Sequence, residues 1–267
     1  MSKRSYSEAA CDLSELTPEV YAGWRASELG AMTEQLERRL MIESMGDVRG
    51  KDILEIGCGD GELSVRLALQ GGRVAAIDVS EKMLAAARRR AEGEGADVVF
   101  AQGGAEQIPF ASGSFDVVVA MTILCFVEEA APVFQEMARV LKPGGRIVIG
   151  ELGKRSTWAA ARRVRAWLGS RLWRAGVFRT PAELEHLAGS AGLLPIDVRG
   201  SVYYPPVAWI ARLVAPCDAW LGRTTTVGAA FLRLEARKPP APYCQREARD
   251  GAMSRGVPSH VNRSTSP

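Results

Sequence analysis

The sequence predicts an α/β fold in which a mostly parallel β-sheet is covered by helices on both faces. Short apolar segments alternate with helical segments from Lys51 onward, and this alternation is typical of successive βαβ units. The strand segments are almost continuously apolar, as expected for a sheet that is buried on both sides. Glycines at alternate positions follow the first strand in the segment ILEIGCGDG, which places a tight loop at the carboxyl end of that strand.

Each element follows from its own segment. The predicted strands are, in order, DILEIG, RVAAIDVS, DVVFAQGG, FDVVVAMT, RIVIGEL, LLPIDVRG and GAAFLRLEARKP. The segments with helical spacing between them are LSVRLALQGG, EKMLAAARRRAEG, APVFQEMARVL and TPAELEHLAGSAG. In LKPGG, Pro143 favours a turn and Gly144 can adopt the positive φ that a type II turn requires. We therefore predict a turn between the preceding helix and the fifth strand.

The chain divides into three predicted parts. Residues 1–46 form an N-terminal helical cap, residues 47–238 form the α/β domain, and residues 239–267 form a flexible tail that lacks apolar periodicity. Two insertions interrupt the α/β domain, a basic and aromatic one at about 154–176 and an aromatic one at about 201–226.

Apolar spacing within the cap predicts two helices that are broken at Gly30. Glu34 and Arg38 lie one helical turn apart, so we expect them to form an ion pair.

Composition favours a single domain with appended segments. The chain has 267 residues, of which 47% are apolar, and a net charge of +3, so it is neither disordered nor fibrous. Its cysteines form no CxxC pair and no Cys/His cluster, so we expect neither disulfides nor a metal site; they are Cys11, Cys58, Cys125, Cys217 and Cys244. Because no signal peptide or membrane-spanning run is evident, we expect a soluble, cytoplasmic protein.

The glycine-rich loop predicts a ligand site. In an open parallel sheet, ligands bind beyond the carboxyl ends of the strands where the strand order reverses. Gly57, Gly59 and Gly61 would let the backbone turn without Cβ atoms in the way of a ligand. Asp78 ends the second predicted strand, where its carboxylate can accept both hydroxyls of a ribose. The pattern therefore indicates a cofactor that contains a nucleoside.

Glycine spacing distinguishes between cofactors. A dinucleotide fingerprint is GxGxxG, whereas here Glu62 occupies the position of its last glycine. Glu55 and Asp60 add carboxylates around the loop, which suits a ligand with a cationic end better than a pyrophosphate. S-adenosylmethionine is such a ligand, because it joins an adenosine to an ammonium and a sulfonium, and it is therefore the favoured cofactor. An NAD-dependent oxidoreductase is the less favoured alternative.

Four segments carry a family resemblance: ILEIGCGDG, AAIDVS, AEQIPFASGSFDVVVAM and ARVLKPGGRIVIGE occur in this order. They resemble the motifs of class I S-adenosylmethionine-dependent methyltransferases, specifically the type 11 group that includes the ubiquinone and menaquinone biosynthesis C-methyltransferases. The resemblance covers about residues 20 to 236. It implies a Rossmann-like sheet of seven strands, mostly parallel with an antiparallel last strand, and an enzyme that uses S-adenosylmethionine.

The resemblance also implies cofactor contacts. Residues along the loop would lie near the methionine portion, Asp78 would bind the ribose, and Val79 and Met83 would flank the adenine. The complete implied set is Glu55, Gly57, Cys58, Gly59, Gly61, Asp78, Val79, Met83, Gly104, Ala105, Glu106, Met121 and Thr122. The family usually has an Asp where this chain has Gly104, so adenine recognition would rest on the backbone around Ala105, on Glu106 or Gln107, or on water.

No catalytic base can be identified from the sequence. His186 is expected to be solvated on its helix, and His260 lies in the tail. The remaining weak candidates are Tyr21, Glu151, Tyr203 and Tyr204. Because methyl transfer from a sulfonium is driven by the cofactor, a base is needed only for a poor nucleophile. A non-catalytic binder that keeps the fold remains a further alternative.

The insertions suggest what the acceptor and partners are. Residues 156–174 have basic side chains and no acid, with Val164, Trp167, Leu168 and Leu172 on one face of a predicted amphipathic helix. It could contact an anionic membrane surface, meet an acidic partner, or roof an apolar pocket. Aromatic residues in both insertions favour a small lipophilic or aromatic acceptor, and the nearly neutral domain disfavours nucleic acid. The acceptor atom and the oligomeric state stay undetermined.

Overall fold

The structure, a computed structural model, describes residues 17–127 and 129–240 of the chain. Residues 1–16 of the predicted cap and residues 241–267 of the predicted tail lie outside the described residues. So do Cys11, Cys244 and His260.

One sheet of seven strands forms the centre of the described chain. Its strand order is β3-β2-β1-β4-β5-β7-β6. Pairing is parallel from β3 through β5, and β7 runs antiparallel to both β5 and β6, which confirms the predicted topology. The strands are β1 (Asp52–Ile56), β2 (Arg73–Asp78), β3 (Val98–Gln102), β4 (Phe115–Met121), β5 (Leu141–Leu152), β6 (Leu194–Ser201) and β7 (Phe231–Arg237).

Helices flank this sheet on both sides. They are α1 (Pro18–Ala26), α2 (Glu28–Met45), α3 (Glu62–Leu69), α4 (Glu81–Glu94), α5 (Ala130–Val140), α6 (Thr157–Trp167), α7 (Arg171–Ala175), α8 (Pro181–Ser190), α9 (Ala208–Val214) and α10 (Asp218–Thr224). The chain order reverses between β1 and its two neighbours β2 and β4. The loop after β1 therefore lies at the switch point where open α/β sheets bind ligands.

Successive strand residues enter two separate cores. Ile53 of β1 packs in a cluster with Met41 of α2 and Leu67 of α3. The next residue, Leu54, packs in the opposite cluster with Phe134 of α5. Burial of each such side chain contributes about 2 kcal/mol. Both faces of β1 are thus covered, which explains why its sequence is apolar without alternation.

The break between the cap helices lies at Ser27, so the predicted break at Gly30 is wrong. Ser27 is the N-cap of α2, and its side chain accepts a hydrogen bond from the Gly30 N–H at 3.0 Å. A Cβ at Gly30 would collide with the carbonyl oxygen of Trp24. Gly30 is therefore needed for the close approach of α1 and not for ending a helix.

The predicted Glu34–Arg38 ion pair is also wrong. Glu34 pairs with Arg25 of α1 at 3.1 Å, and Arg38 pairs with Glu62 of α3 at 3.0 Å. Both partners lie in other helices. The rule behind the prediction considers only residues of the same helix, so it could not identify them. These two ion pairs tie α2 to α1 and to the start of α3.

Gly144 adopts a φ of +79°, as the predicted turn requires. The turn is nevertheless part of β5, because α5 ends at Val140 and the strand begins directly at Leu141. The register between β4 and β5 shifts between Phe115 and Val117, which accommodates the extra residues as a bulge.

The basic insertion forms two helices rather than one. Gly169, with a φ of +108°, separates α6 from α7, and Ser170 caps α7 by accepting from the Trp173 N–H. The apolar residues that were predicted to share one helical face are therefore split between the two helices and differ in exposure. Leu172 is buried, whereas Trp167 is 84% exposed and Leu168 is 71% exposed. The second insertion folds into α9 and α10. None of the described helices is both long and apolar enough to cross a membrane.

Candidate functional site

The loop after β1 is held against the end of β2 by its own backbone. The N–H groups of Gly57 and Cys58 donate to the carbonyl of Ile77 at 2.8 and 3.0 Å. The Gly59 N–H donates to Asp78 Oδ2 at 2.9 Å. A cationic ligand group in contact with this loop would therefore meet carbonyl oxygens, since these N–H donors are already used.

Glycine is required at the three loop positions for different reasons. Their φ values are +70°, +54° and +79° for Gly57, Gly59 and Gly61. A Cβ at Gly57 would collide with Ile123, and one at Gly61 would lie 2.8 Å from the Cβ of Ala87. A Cβ at Gly59 would meet nothing within 4 Å. Packing of the protein thus requires two of these glycines, and Gly59 borders open space that a ligand can enter.

Asp78 lies at the end of β2 with both carboxylate oxygens engaged by the backbone. Oδ2 accepts from Gly59, and Oδ1 accepts from the Ser80 N–H at 2.8 Å. Burial raises the pKa of Asp78, and the backbone hydrogen bonds oppose that rise. Each carboxylate oxygen can accept more than one hydrogen bond, so the side chain is held rigidly and retains capacity for ligand hydroxyls.

A cavity of about 390 Å³ opens beside the loop. Its walls come from α1, α2, the β1 loop, the end of β4, α6 and α7. The predicted site residues in its wall are Tyr21, Glu55, Gly57, Cys58, Gly59, Met121 and Thr122. The remaining predicted cofactor residues lie outside it, just before α3, in or beside the ends of β2 and β3, and in α4; these are Gly61, Asp78, Val79, Met83, Gly104, Ala105 and Glu106.

The segment after β3 is tied to the end of β2. The Gly103 N–H donates to the Asp78 carbonyl at 3.1 Å, and the Gln107 N–H donates to the Gly104 carbonyl at 3.4 Å. Val79 is 49% exposed, so an apolar side chain borders solvent beside this turn. The adenine end predicted by sequence is thus an open surface next to the cavity.

Glu55 is a buried carboxyl at the cavity wall. Burial raises its pKa to about 8, although the hydroxyl of Ser64 donates a hydrogen bond to it and opposes the rise. At neutral pH the group is therefore mostly protonated, and a cation placed beside it would favour its ionised form.

Asp60 is not the free carboxylate that the sequence argument requires. Arg25 Nη1 and Nη2 donate to its two oxygens at 2.7 and 2.6 Å, and Arg90 Nη2 donates to Oδ2 at 2.7 Å. Burial disfavours the charged form, but the hydrogen bonds from the two arginines hold the pKa of Asp60 below its usual value. Its charge is thus compensated by the protein and does not select a cationic ligand.

Only one of the four catalytic candidates lines the cavity. Burial raises the pKa of Tyr21 to about 12, so it is a neutral phenol at neutral pH. Tyr204 is fully buried, and its hydroxyl lies 3.0 Å from Thr33 Oγ1. Tyr203 donates to the carbonyl of Thr225, and Glu151 Oε1 accepts from the Leu152 N–H at 2.7 Å. His186 is exposed as predicted.

The basic insertion lines the cavity, as one of the sequence-based alternatives expected, but the sequence did not single out which of its residues do so, and it did not point to Glu37. Glu37 comes from α2, while Trp158 and Arg162 come from α6 and Trp173 from α7. Trp158 and Arg162 are four residues apart in a helical segment, which was a signal that they share a face. Their position over the glycine loop depends on how α6 packs, which no local pattern reports. In the described chain, no group of three or more potential ligands could hold a metal ion.

Comparisons with known proteins give a family match and several relatives. The family described as "Methyltransferase domain" matches residues 54–149. A ubiquinone biosynthesis O-methyltransferase from Aeromonas salmonicida is 33% identical over 174 residues, which are 63% of this chain and 73% of that protein. An uncharacterised Mycobacterium tuberculosis protein is 35% identical over 189 residues, or 70% of this chain; the match spans 61% of the relative's own length.

A solved structure shares the fold. It is an S-adenosylmethionine-dependent methyltransferase from Thermotoga maritima, described as a possible histamine N-methyltransferase. The TM-score is 0.66 at 20% identity, and the match covers 85% of this chain and 99% of that one. The likeness confirms the predicted architecture.

Proposed function

The chain belongs to the S-adenosylmethionine-dependent methyltransferases, and on that premise we propose that it transfers a methyl group to a small lipophilic or aromatic acceptor. The observation that carries the proposal is the cavity itself. Its wall includes Gly57 and Gly59 of the ligand-binding loop at one side and Trp24, Trp158 and Trp173 at another. A cofactor at the loop and an apolar acceptor would thus share one cavity.

The residues present fit the cofactor of this family, S-adenosylmethionine. Asp78 would accept from the ribose hydroxyls, because its oxygens are fixed by backbone N–H groups and retain lone pairs. The open space at Gly59 would admit the methionine portion, with the carboxyl of Glu55 below it. When bound, this cofactor supplies an activated methyl group on a sulfonium.

We expect the protein to act mainly by alignment and by exclusion of water. Methyl transfer is an in-line displacement, so the acceptor atom must lie opposite the leaving sulfur. Met121 ends β4 and Thr122 follows it, both in the cavity wall, and we expect them to border the reacting atoms. Trp24 packs edge-to-face on Trp158 at 5.8 Å and closes the apolar side. Because several relatives are named O-methyltransferases, an oxygen atom is the first acceptor atom to test.

Calorimetric titration with S-adenosylmethionine and S-adenosylhomocysteine tests the cofactor site. We expect micromolar binding, about 8 kcal/mol, that is lost in Asp78→Ala. Asp97→Ala is the matched control, because Asp97 is an exposed acid in the loop before β3 and outside the cavity. Absence of binding by the parent protein would contradict the proposal. Displacement of the ligand by NAD would support an oxidoreductase instead.

Turnover separates an enzyme from a non-catalytic binder of the same fold. The protein would be incubated with methyl-labelled cofactor and a panel of lipophilic phenols, quinone precursors and amines. Transfer of label into one acceptor class supports the proposal. Tight cofactor binding with no transfer to any of these acceptors would favour a binding role.

A second candidate role, contact with an anionic membrane surface, is favoured by the exposed face of α6. Trp167 and Leu168 are exposed there beside Arg163 and Arg165, a combination typical of interfacial helices. Sedimentation with phosphatidylserine vesicles should retain the parent protein and lose Trp167→Ser. Leu69→Ser, which changes an exposed apolar residue of α3, should bind like the parent. Equal sedimentation of both variants would contradict the contact.

A further inference from the structure

Half of the charged side chains in the cavity wall are ion-paired within the described part of the protein. Arg25 binds Asp60 and Glu34, and Glu62 accepts from Arg38 at 3.0 Å. Arg162 Nη1 is buried and has no hydrogen-bond partner among the described residues. Arg25 Nε also lacks a hydrogen-bond partner, but its guanidinium is ion-paired with two carboxylates, whereas no carboxylate of the described residues forms an ion pair with Arg162. A buried guanidinium N–H without an acceptor is costly, so Arg162 Nη1 marks a place where a ligand can supply one.

Arg162 lies between aromatic rings and makes no hydrogen bond with the described residues. Its Cζ lies 5.3 Å from the ring centroid of Trp158 and 4.8 Å from that of Trp173. Stacking of this kind fixes a planar guanidinium while leaving its N–H groups available. Trp158 is itself fixed, because its Nε1–H donates to the Tyr204 carbonyl at 2.9 Å. The cation therefore has a defined position at the cavity wall.

Glu37 of α2 faces Arg162 but does not form an ion pair with it. Glu37 lines the same cavity and acts on Arg162 electrostatically, but no ion pair joins the two in the described part of the chain. Burial raises the pKa of Glu37 to about 8, so at neutral pH this carboxyl is mostly uncharged. Glu151 also acts on Arg162 electrostatically, but no carboxylate of the described residues lies within ion-pair distance of the guanidinium.

We propose that Arg162, held between Trp158 and Trp173, binds an anionic oxygen of the methyl acceptor, and that the acceptor is an apolar, ring-containing molecule bearing a carboxylate. This inference rests on the proposed function, because it assigns the acceptor side of the same cavity. The two indole rings contact the apolar body, and the guanidinium supplies charge-assisted hydrogen bonds to the carboxylate. The site then selects acids over neutral analogues of the same shape.

The test compares naphthoate with its methyl ester, which has the same ring system and no charge. Both are titrated calorimetrically into the full chain, with and without saturating S-adenosylhomocysteine. We expect naphthoate to bind at least about tenfold more tightly than the ester. Arg162→Gln should abolish this preference, and Arg162→Lys should keep part of it, since the charge remains while the stacked plane is lost. Arg174→Gln makes the same charge change at an exposed position of α7 and should bind like the parent.

Each outcome bears on a separate claim. Equal binding of naphthoate and ester by the parent protein would overturn the acceptor assignment, whatever the variants do. A fall in S-adenosylhomocysteine affinity equal to the fall in naphthoate affinity in Arg162→Gln would also overturn it, because Arg162 would then serve the cofactor. Failure of the parent to bind S-adenosylhomocysteine would instead contradict the proposed function. Retained S-adenosylhomocysteine binding in Arg162→Gln shows that this variant is folded.

Discussion

Arg25 of α1 and Asp60 of the glycine loop form a two-point ion pair, with Nη1–Oδ2 and Nη2–Oδ1 distances of 2.7 and 2.6 Å. The side chains are only 19% and 9% exposed. Arg90 of α4 donates to the same carboxylate and to the Asp60 carbonyl. The contact therefore joins the cap, the loop and α4, and it positions α1 as one wall of the cavity.

Arg25→Ala should loosen α1 and weaken cofactor binding. Loss of two charge-assisted hydrogen bonds to a mostly buried carboxylate is expected to cost about 2 kcal/mol of the free energy of unfolding. Urea unfolding and titration with S-adenosylhomocysteine measure the two effects. Arg39→Ala is the control, because Arg39 pairs with Glu43 on the exposed face of α2, where solvent screens the pair and its loss should change stability much less. Equal losses in both variants would contradict the structural importance of the Arg25 pair.

Alanine at Gly57 and at Gly59 should have different consequences. Both positions have positive φ, which costs an alanine about 1 kcal/mol, but only Gly57→Ala adds a collision with Ile123. We expect Gly57→Ala to lower the free energy of unfolding by at least about 2 kcal/mol. Gly59→Ala should remain near the cost of the positive φ alone yet bind S-adenosylhomocysteine at least about tenfold more weakly. Normal cofactor affinity in Gly59→Ala would show that the open space beside it is not used.

Cofactor binding at neutral pH should release a proton from Glu55. In the free protein, burial raises the pKa of Glu55 to about 8, so the group is mostly protonated. An ammonium beside it would favour the carboxylate and lower that pKa. Calorimetry of S-adenosylhomocysteine binding in buffers of different ionisation enthalpy measures the proton count. The release should disappear in Glu55→Gln and persist in Glu43→Gln; no release by the parent would place the ammonium elsewhere.

The same group makes stability depend on pH. The usual pKa of Glu55 is 4.5, and its folded value is about 8, so the folded state binds more protons between these values. Its stabilising contribution is complete below pH 4.5 and is lost as the pH rises toward 8. The unfolding free energy of the parent should therefore fall relative to that of Glu55→Gln over this interval. A constant difference between the two proteins would contradict the raised pKa.

Tyr204 should prove to be structural. Its hydroxyl lies 3.0 Å from Thr33 Oγ1 and outside the cavity wall. Tyr204→Phe should cost about 1 kcal/mol of unfolding free energy, with unchanged cofactor affinity and turnover. A double-mutant cycle with Thr33→Val should give a coupling of similar size, since the two residues share one hydrogen bond. A large loss of turnover in a stably folded Tyr204→Phe would restore it as a catalytic candidate.

The sequence alone determined the sheet and the place of the ligand loop. Apolar runs such as DILEI and RVAAID set the strands, and the glycines after the first run marked the end of β1. The same pattern predicted that Asp78 ends β2 beside them. Both signals are local, because strand burial and positive φ constrain residue type at single positions.

Only the tertiary structure decided which charges stay available and what encloses the ligand. Asp60 was interpreted as a free carboxylate, but Arg25 reaches it from a helix 35 positions earlier. Glu34 pairs with Arg25 of α1 and not with the residue one turn along α2. In the sequence, nothing distinguishes Arg162 from the other basic residues of its segment. In the structure, the packing of α6 against α7 places its guanidinium between two indole rings. A long charged side chain pairs with whichever opposite charge lies within a few ångströms. Spacing in the sequence predicts such distances only between residues of the same helix or strand.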